Sequence, residues 1–499
     1  MVNLSAFVRH HARRTPDRTA IVYEGRHISW AELWRRVQAV AAWLARRGIG
    51  PDDVVAACMK NSPAFLELAF ATSHLGAVFL PTNYRLARDE LAYIQENSEA
   101  KLLVADDEFA ETVAGLENTV VIGAREQRDL SSIVRQAATA PGMAPRQTGD
   151  LFRLMYTSGT TDRPKGVMHS YENFYWKCMD HTIAVGLSAE DRLLVAGPLY
   201  HVGAFDLPGL AVSWVGGALC ILRDFDETAA LAAIEREKLT GAWLAPVMLG
   251  RLIAFAERDR FDRSSIRWVI GGGEKTPEVR IRQFAELFPE ARYIDAYGLT
   301  ETCAADTMME AGRELEKIGS TGRALAHCEI EIRDDAGNRL PASREGEICV
   351  RGPKVTKGYW KSPEKTAASF FPGGWLRTGD VGYLDDEGFL YVTDRKKDMI
   401  ISGGENIASS EVERVIFGMP QVSDVAVVGV PDQQWGERPV AVVVPKEGTA
   451  LDYETLREHC RQHLAAFKVP RELHLRDALP RNPSGKILKR VLRDEFARR

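Results

Sequence analysis

The sequence predicts an α/β protein with a small antiparallel or barrel-like region and a compact α+β unit at its end, and three observations carry that reading. From about residue 20 to 350, apolar or β-branched runs alternate with helical patterns: DDVVAACMK at 52–60, AKLLVAD at 100–106, DRLLVAG at 191–197 and IRWVIGGG at 266–273. Continuous apolar strands separated by helices mark parallel sheets covered on both faces. At 319–393 the texture turns to hairpins, with a D-D-x-G turn at Asp334–Gly337 and another turn at Gly388. Beyond the charged run DRKKD, Asp394–Asp398, the chain alternates strand and helix patterns to its end.

The elements follow in order. The opening MVNLSAFVRHHARRTPDRTA reads as an amphipathic helix rather than a signal peptide, because charges interrupt every apolar run. No stretch approaches the ~20 apolar residues of a membrane span. AATAPGMAPRQTGD at 137–150 reads as a surface connector. DRKKD has no apolar side to bury and reads as a linker. Strand-like MIIS then leads through a Gly-Gly turn to a helix whose start shows a capping box, Ser410 to Glu413. Strands DVAVVGV and VAVVVP follow, then a helix at 452–466 and a last helix after NPSGK. At 499 residues and 45% hydrophobic content the chain exceeds the size of one core, and its length suggests roughly three domains.

The net charge of −5, from 64 basic and 69 acidic residues, indicates neither a nucleic-acid surface nor an acidic tail. Small-molecule partners fit better. Cys58, Cys178, Cys220, Cys303, Cys328, Cys349 and Cys460 include no C-x-x-C pair, which argues against a disulfide framework or structural zinc and for a reducing cytoplasm.

The chemistry concentrates first in YTSGTTDRPKGV, Tyr156–Val167. Hydroxyls and backbone N–H groups of a Ser/Thr/Gly loop can surround phosphate oxygens, and Lys165 adds a point charge. It is not a Walker A loop, because Lys165 precedes Gly166 and Val167 rather than following GxxxxG and preceding Ser or Thr. Taken alone, it reads equally well as a polar loop between two strands.

Five further stretches accompany it: PLYHVGAFD at 198–206, YGLTET at 297–302, WLRTGD at 375–380, DRKKDMIISGGENI at 394–407 and NPSGK at 482–486. In order, spacing and wording the six resemble the adenylate-forming superfamily of acyl-CoA synthetases, luciferases and peptide-synthetase adenylation domains, over nearly the whole chain. The resemblance implies a large N-terminal domain, 1–393, built of two α/β sheet subdomains plus a β-barrel-like region. It further implies a hinge at 394–398 and a smaller mobile domain at 399–499.

It also implies roles. Thr157, Ser158, Gly159, Thr160, Thr161 and Lys165 would cover the ATP phosphates, and Asp162 departs from the family's usual glycine. Asp tolerates the left-handed region, and its carboxylate is expected to point outward. Glu301 would hold Mg²⁺ as a hard oxygen ligand. Thr300 would bond the α-phosphate, with Asp295, Ala296, Tyr297 and Gly298 near adenine. Gly272, Gly273 and Glu274 would lie against the base, and Asp380 would accept both ribose hydroxyls with Arg395 beside it. Lys486 would enter between carboxylate and α-phosphate, where charge develops as pyrophosphate leaves. His201 would gate the acyl pocket, and Lys397 falls at the hinge.

IISGGENI resembles the CoA-ligase wording of its segment. Gly403, Gly404 and Glu405 would meet the pantetheine arm, Trp435 and Phe467 the CoA adenine, and Arg85, Lys468 and Arg471 its phosphates. The expected reaction is therefore ATP-dependent ligation of a carboxylic acid to CoA through an acyl-adenylate. The alternatives are a stand-alone adenylating enzyme that loads a carrier-protein phosphopantetheine and a catalytically weak binding protein. Gly203, Ala204, Gly272, Gly273, Ala304 and Ala305 suggest room for a bulky apolar monocarboxylate, with Asp206, Glu274 and Lys275 as the few charges nearby. No nucleic-acid partner is expected, and a homodimer is compatible with the sequence.

Overall fold

The computed structural model describes residues 2–123, 140–157, 163–273, 276–402, 405–481 and 487–497. Among the described residues the strands form four sheets. A six-stranded sheet runs in the order Thr119–Ile122, Ala100–Asp106, Val54–Cys58, Val78–Thr82, Leu151–Thr157 and Lys165–Ser170, parallel except for its last pair. A nine-stranded sheet centres on the parallel neighbours Ala218–Ile221, Arg192–Val195, Gly241–Leu244, Trp268–Gly271 and Arg292–Tyr297. Both sheets are covered by helices such as Pro63–His74, buried along its whole length, and Tyr171–Val185. The all-buried strand Val54–Cys58 shows why these segments read as continuous apolar runs.

The region after 319 is antiparallel, as the hairpin signals indicated. Glu329–Arg333, Gly346–Arg351 and Trp375–Leu384 are successive neighbours, and Leu390–Arg395 returns along Trp375–Leu384. A last sheet joins Ile400–Ser402, Glu405–Ile407, Val422–Asp432, Gly436–Pro445 and Glu472–Leu475. The helices Ser409–Phe417, Tyr453–His463 and Lys489–Ala497 accompany it, with apolar clusters of its own around Ile400, Val427 and Ala441 and around Val428 and Leu492.

Two local expectations are corrected. Ser410 and Glu413 form no capping box: the helix starts at Ser409 without a side-chain cap, because its serines are drawn to the preceding strand. Ser409 N–H and Oγ–H both donate to Asp394, at 2.5 and 2.7 Å, Ser410 Oγ donates to the Thr393 carbonyl, and Glu413 accepts from Val427 N and pairs with Lys489 at 2.7 Å. DRKKD is not a solvated run throughout, since Asp394 and Arg395 close the strand Leu390–Arg395 opposite Val381 and Asp380, and Asp394 is buried under Ser409.

Candidate active site

The segment YGLTET follows the last parallel strand of the large sheet, and its residues diverge from one short turn. Tyr297, the strand's end, is buried and donates its hydroxyl to Asp380 at 2.9 Å. Burial and then the Asp380 charge hold the phenol in its neutral form by raising its pKa. Arg395 stands opposite Asp380 across the antiparallel pair, and its Nε lies 3.2 Å from the carboxylate. A hydroxyl, a carboxylate and a guanidinium from three motifs thus meet at one end. Thr378 Oγ accepts from Asp380 N in the same strand.

At the other end, Glu301 Oε1 accepts from the Tyr359 hydroxyl at 2.9 Å, and Thr356 N–H donates to the Glu301 carbonyl. Lys165 Nζ lies over the same Tyr359 ring, 5.4 Å from its centre. Lys165 opens the strand Lys165–Ser170 and pairs with Thr157 across the antiparallel ladder, so the two ends of the Ser/Thr/Gly loop are held together. Lys165 also borders a polar recess of about 420 Å³ with Tyr93, Arg163, Trp360 and Lys365. Ser158, Gly159, Thr160, Thr161, Asp162, Glu274, Lys275, Gly403, Gly404 and Lys486 lie outside the described residues.

Close backbone approach explains two glycines. A β-carbon on Gly272 would stand 2.9 Å from the Ala296 carbonyl oxygen, and one on Gly298 would collide with the backbone of Ala305. The turn past Glu301 is left-handed at three consecutive residues, Cys303, Ala304 and Ala305, with φ of 56°, 64° and 49°. Lys354 holds it: buried Nζ donates to the Ala305 carbonyl at 2.5 Å and lies 3.4 Å from Asp180. Asp306 donates order from the other side by accepting Thr302 Oγ–H at 2.5 Å, and burial pushes its carboxyl up to about 6. Asp295 and Ala296 are buried in the strand, with Asp295 beside Gly271.

The acyl side departs from expectation. His201 precedes a short helical turn and accepts the Gly203 N–H at Nδ1, 3.1 Å. The room left by Gly203 is filled by the Trp243 indole, which also lies over Gly197, so the glycine serves packing there. Ala204, Ala304 and Ala305 are buried. Asp206 is no pocket charge: it is fully buried, bonded by both Arg153 nitrogens at 2.9 and 2.7 Å and by Lys177 at 3.0 Å. That pairing holds its carboxyl down at about 2 against burial.

Among the proposed CoA residues, Arg471 lies over the half-exposed Trp435 ring at 5.2 Å and Lys468 over Phe467 at 5.8 Å. Lys468 also pairs with Glu411 at 2.6 Å, and Arg85 lies over Tyr84. Glu405 is exposed at the start of its strand. At the expected hinge position, Arg493 donates to the Lys397 carbonyl at 3.1 Å and pairs with Asp398. Sequence reasoning missed Tyr359, His169 and Trp243. Tyr359 sits in GYWKSPEKT, whose meaning appears only once Lys165 and Glu301 are beside it.

The family described as AMP-binding enzyme matches residues 8–360, and its C-terminal domain matches 411–486. The chain is 38% identical to feruloyl-CoA synthase of an Amycolatopsis species over 97% of each chain. It is 36% identical to 2-succinylbenzoate–CoA ligase of Geobacillus kaustophilus over 99% of this chain and 98% of that one. The solved o-succinylbenzoate CoA synthetase of Bacillus subtilis, in complex with its acyl-adenylate intermediate, superposes with a TM-score of 0.88 at 32% identity, covering 99% of this chain and 98% of that one. The chain belongs to the AMP-binding enzyme family, in its acyl-CoA synthetase branch, and is an ATP-dependent acid–thiol ligase that works through an acyl-adenylate. Among the described residues no helix is long and apolar enough to cross a membrane.

Proposed function

We propose that this enzyme joins a bulky, largely apolar monocarboxylate, fatty, aromatic or polycyclic, to CoA. The observation that carries the site assignment is the turn Tyr297–Glu301: its first residue reaches Asp380, which Arg395 pairs, and its last reaches Tyr359, whose ring lies under Lys165. A nucleotide laid along that turn would place ribose hydroxyls on Asp380 and phosphates toward Lys165. Thr300 would face the α-phosphate between them. Thr157 and the hydroxyls of Ser158, Thr160 and Thr161 would close over the β- and γ-phosphates.

Glu301 fits Mg²⁺: a partly exposed carboxylate with Tyr359 on one oxygen is the sparse protein ligation that Mg²⁺ shares with phosphate oxygens and water. When bound, the ion would neutralise charge on the leaving pyrophosphate. Lys486 would meet the carboxylate and α-phosphate in the first half-reaction. Gly403, Gly404, Trp435 and Arg471 would meet CoA in the second, with Lys397 as the pivot. The domain limits 1–393 and 399–499 suit the separate apolar clusters of the last sheet. Seven cysteines, all free and buried, suit a reducing cytoplasm, and a homodimer is compatible with the fold.

Support for an aromatic acid comes from the relative named feruloyl-CoA synthase and from the buried, uncharged side chains of Ala204, Ala304 and Trp243. A kcat/KM panel across cinnamic, benzoic, medium-chain fatty and polycyclic acids should favour bulky apolar members. Preference for acetate or malonate would overturn the acid assignment, and transfer to carrier-protein phosphopantetheine instead of CoA would overturn the acceptor.

A further inference from the structure

Four buried side chains far apart in sequence form one connected group behind the reacting turn. Arg153, in the strand that leads to the Ser/Thr/Gly loop, spends one edge of its guanidinium on Asp206, through Nη1 at 2.9 Å and Nη2 at 2.7 Å. It donates to His169 Nδ1 from Nε at 3.1 Å and from Nη2 at 3.0 Å. A guanidinium has donors only, so Nδ1 of His169 must be the acceptor and Nε2 must carry the ring's proton. That Nε2–H donates to the Thr300 carbonyl at 2.6 Å, an oxygen that also accepts from Cys303 N. Lys177 completes the group on Asp206, and Phe174 lies under both cations, 4.7 Å from Arg153 and 4.6 Å from Lys177. Arg153, His169, Lys177 and Asp206 are all fully buried.

The termini of this chain of bonds are what matter. One is Asp206, in the segment that starts at His201 and passes Gly203. The other is the peptide between Thr300 and Glu301, the two residues assigned to α-phosphate and metal. We propose that His169, oriented by Arg153 and Asp206, is a positioning residue for adenylation: it sets the Thr300–Glu301 peptide and ties it to the segment that carries the acyl gate. The inference rests on the ligase reading of the same site. A lysine at 153 would lack the planar fork that serves the carboxylate and the imidazole together, which gives the arginine its reason. A leucine at 169 would fill the space and leave both the guanidinium edge and the Thr300 carbonyl without their partner. A glutamine would present an acceptor to Arg153 and a donor to Thr300.

The test compares His169→Leu and His169→Gln in three assays: pyrophosphate release from ATP and acid, KM for ATP, and thioester formation from supplied acyl-adenylate and CoA. His169→Leu should lower kcat for pyrophosphate release about tenfold or more, with KM for ATP within about threefold, and His169→Gln should restore most of the loss. Thioester formation from supplied adenylate should change by less than about threefold in both. A double-mutant cycle then separates positioning from packing. Because His169 acts through the Thr300 turn, Thr300→Ala should cost much less in the His169→Leu background than in the wild type. If the leucine variant does not fold, Arg153→Lys replaces it in the same cycle with the same expectation. Additive effects, equal damage from Leu and Gln, or equal loss in both half-reactions would overturn the positioning role while leaving the ligase reading standing. Absence of acid-dependent pyrophosphate release in the wild-type protein would overturn both.

Discussion

Glu301 is held from two sides, its side chain by the Tyr359 hydroxyl and its carbonyl by Thr356 N–H. Glu301→Gln keeps that shape and removes the charge, so it should abolish Mg²⁺-dependent pyrophosphate release by the several kcal/mol a metal's charge supplies. Unchanged kinetics at limiting Mg²⁺ would reject the ligand assignment. Asp206 poses the opposite case, a carboxylate whose work is internal. Asp206→Ala leaves Arg153 and Lys177 buried without their counter-charge and should destabilise the fold by about 3–5 kcal/mol in a urea titration. A loss near zero would show that the cations find other partners. Asp162 lies outside the described residues; if its carboxylate points outward, Asp162→Gly should change KM for ATP only modestly, and loss of adenylation would give it a direct role.

Packing between elements explains where the sequence was legible and where it was not. The parallel strands were readable because burial on both faces makes them apolar throughout, as in Val54–Cys58, and the hairpins were readable from Gly337 and Gly388 in their turns. Asp206 was misplaced because its partners are 53 and 29 positions away, at Arg153 and Lys177, and no local pattern encodes that distance. The Ser410–Glu413 box failed for a related reason: the Thr393 carbonyl takes the Ser410 hydroxyl and Lys489 takes the Glu413 carboxylate, both from outside the helix. Gly203 looked like room for substrate and proved to be room for Trp243. Gly203→Ala should therefore disrupt the gate turn, and Trp243→Leu in the same chain should restore part of its stability and activity; no recovery would break the pairing.

The same packing makes a pH prediction. Burial, reinforced by the Arg153 charge, brings His169 down to about 3, so it stays neutral in the fold while the unfolded chain protonates it below about pH 6.5. Its contribution to stability is complete above that pH and is lost as pH falls toward 3. His169→Gln should make the urea stability fall less steeply between pH 6 and pH 4, by up to about 1.4 kcal/mol per pH unit. Identical slopes would mean that His169 is charged in the folded protein.

At the scale of the whole molecule, the proposed site residues give the two half-reactions different parts of one small domain. Lys486 and Gly404 stand near opposite ends of that domain's sequence, and the segment at Lys397, the proposed hinge, is held by Arg493 from the last helix. Rotation of the domain between two settings would bring each to the substrate in turn. Lys486→Ala should block pyrophosphate release yet still convert supplied acyl-adenylate and CoA to thioester, whereas Gly404→Leu should do the reverse. Equal impairment of one half-reaction by both, with folding intact, would contradict rotation.

The most direct measurement follows ATP, Mg²⁺ and an aromatic acid through a single quenched time course, with and without CoA, counting pyrophosphate, AMP and thioester. A two-step route through the acyl-adenylate gives acid-dependent pyrophosphate release that begins without CoA, and equal amounts of AMP, pyrophosphate and acyl-CoA once CoA is added. Release of ADP and phosphate, or thioester formed with no pyrophosphate, would contradict it.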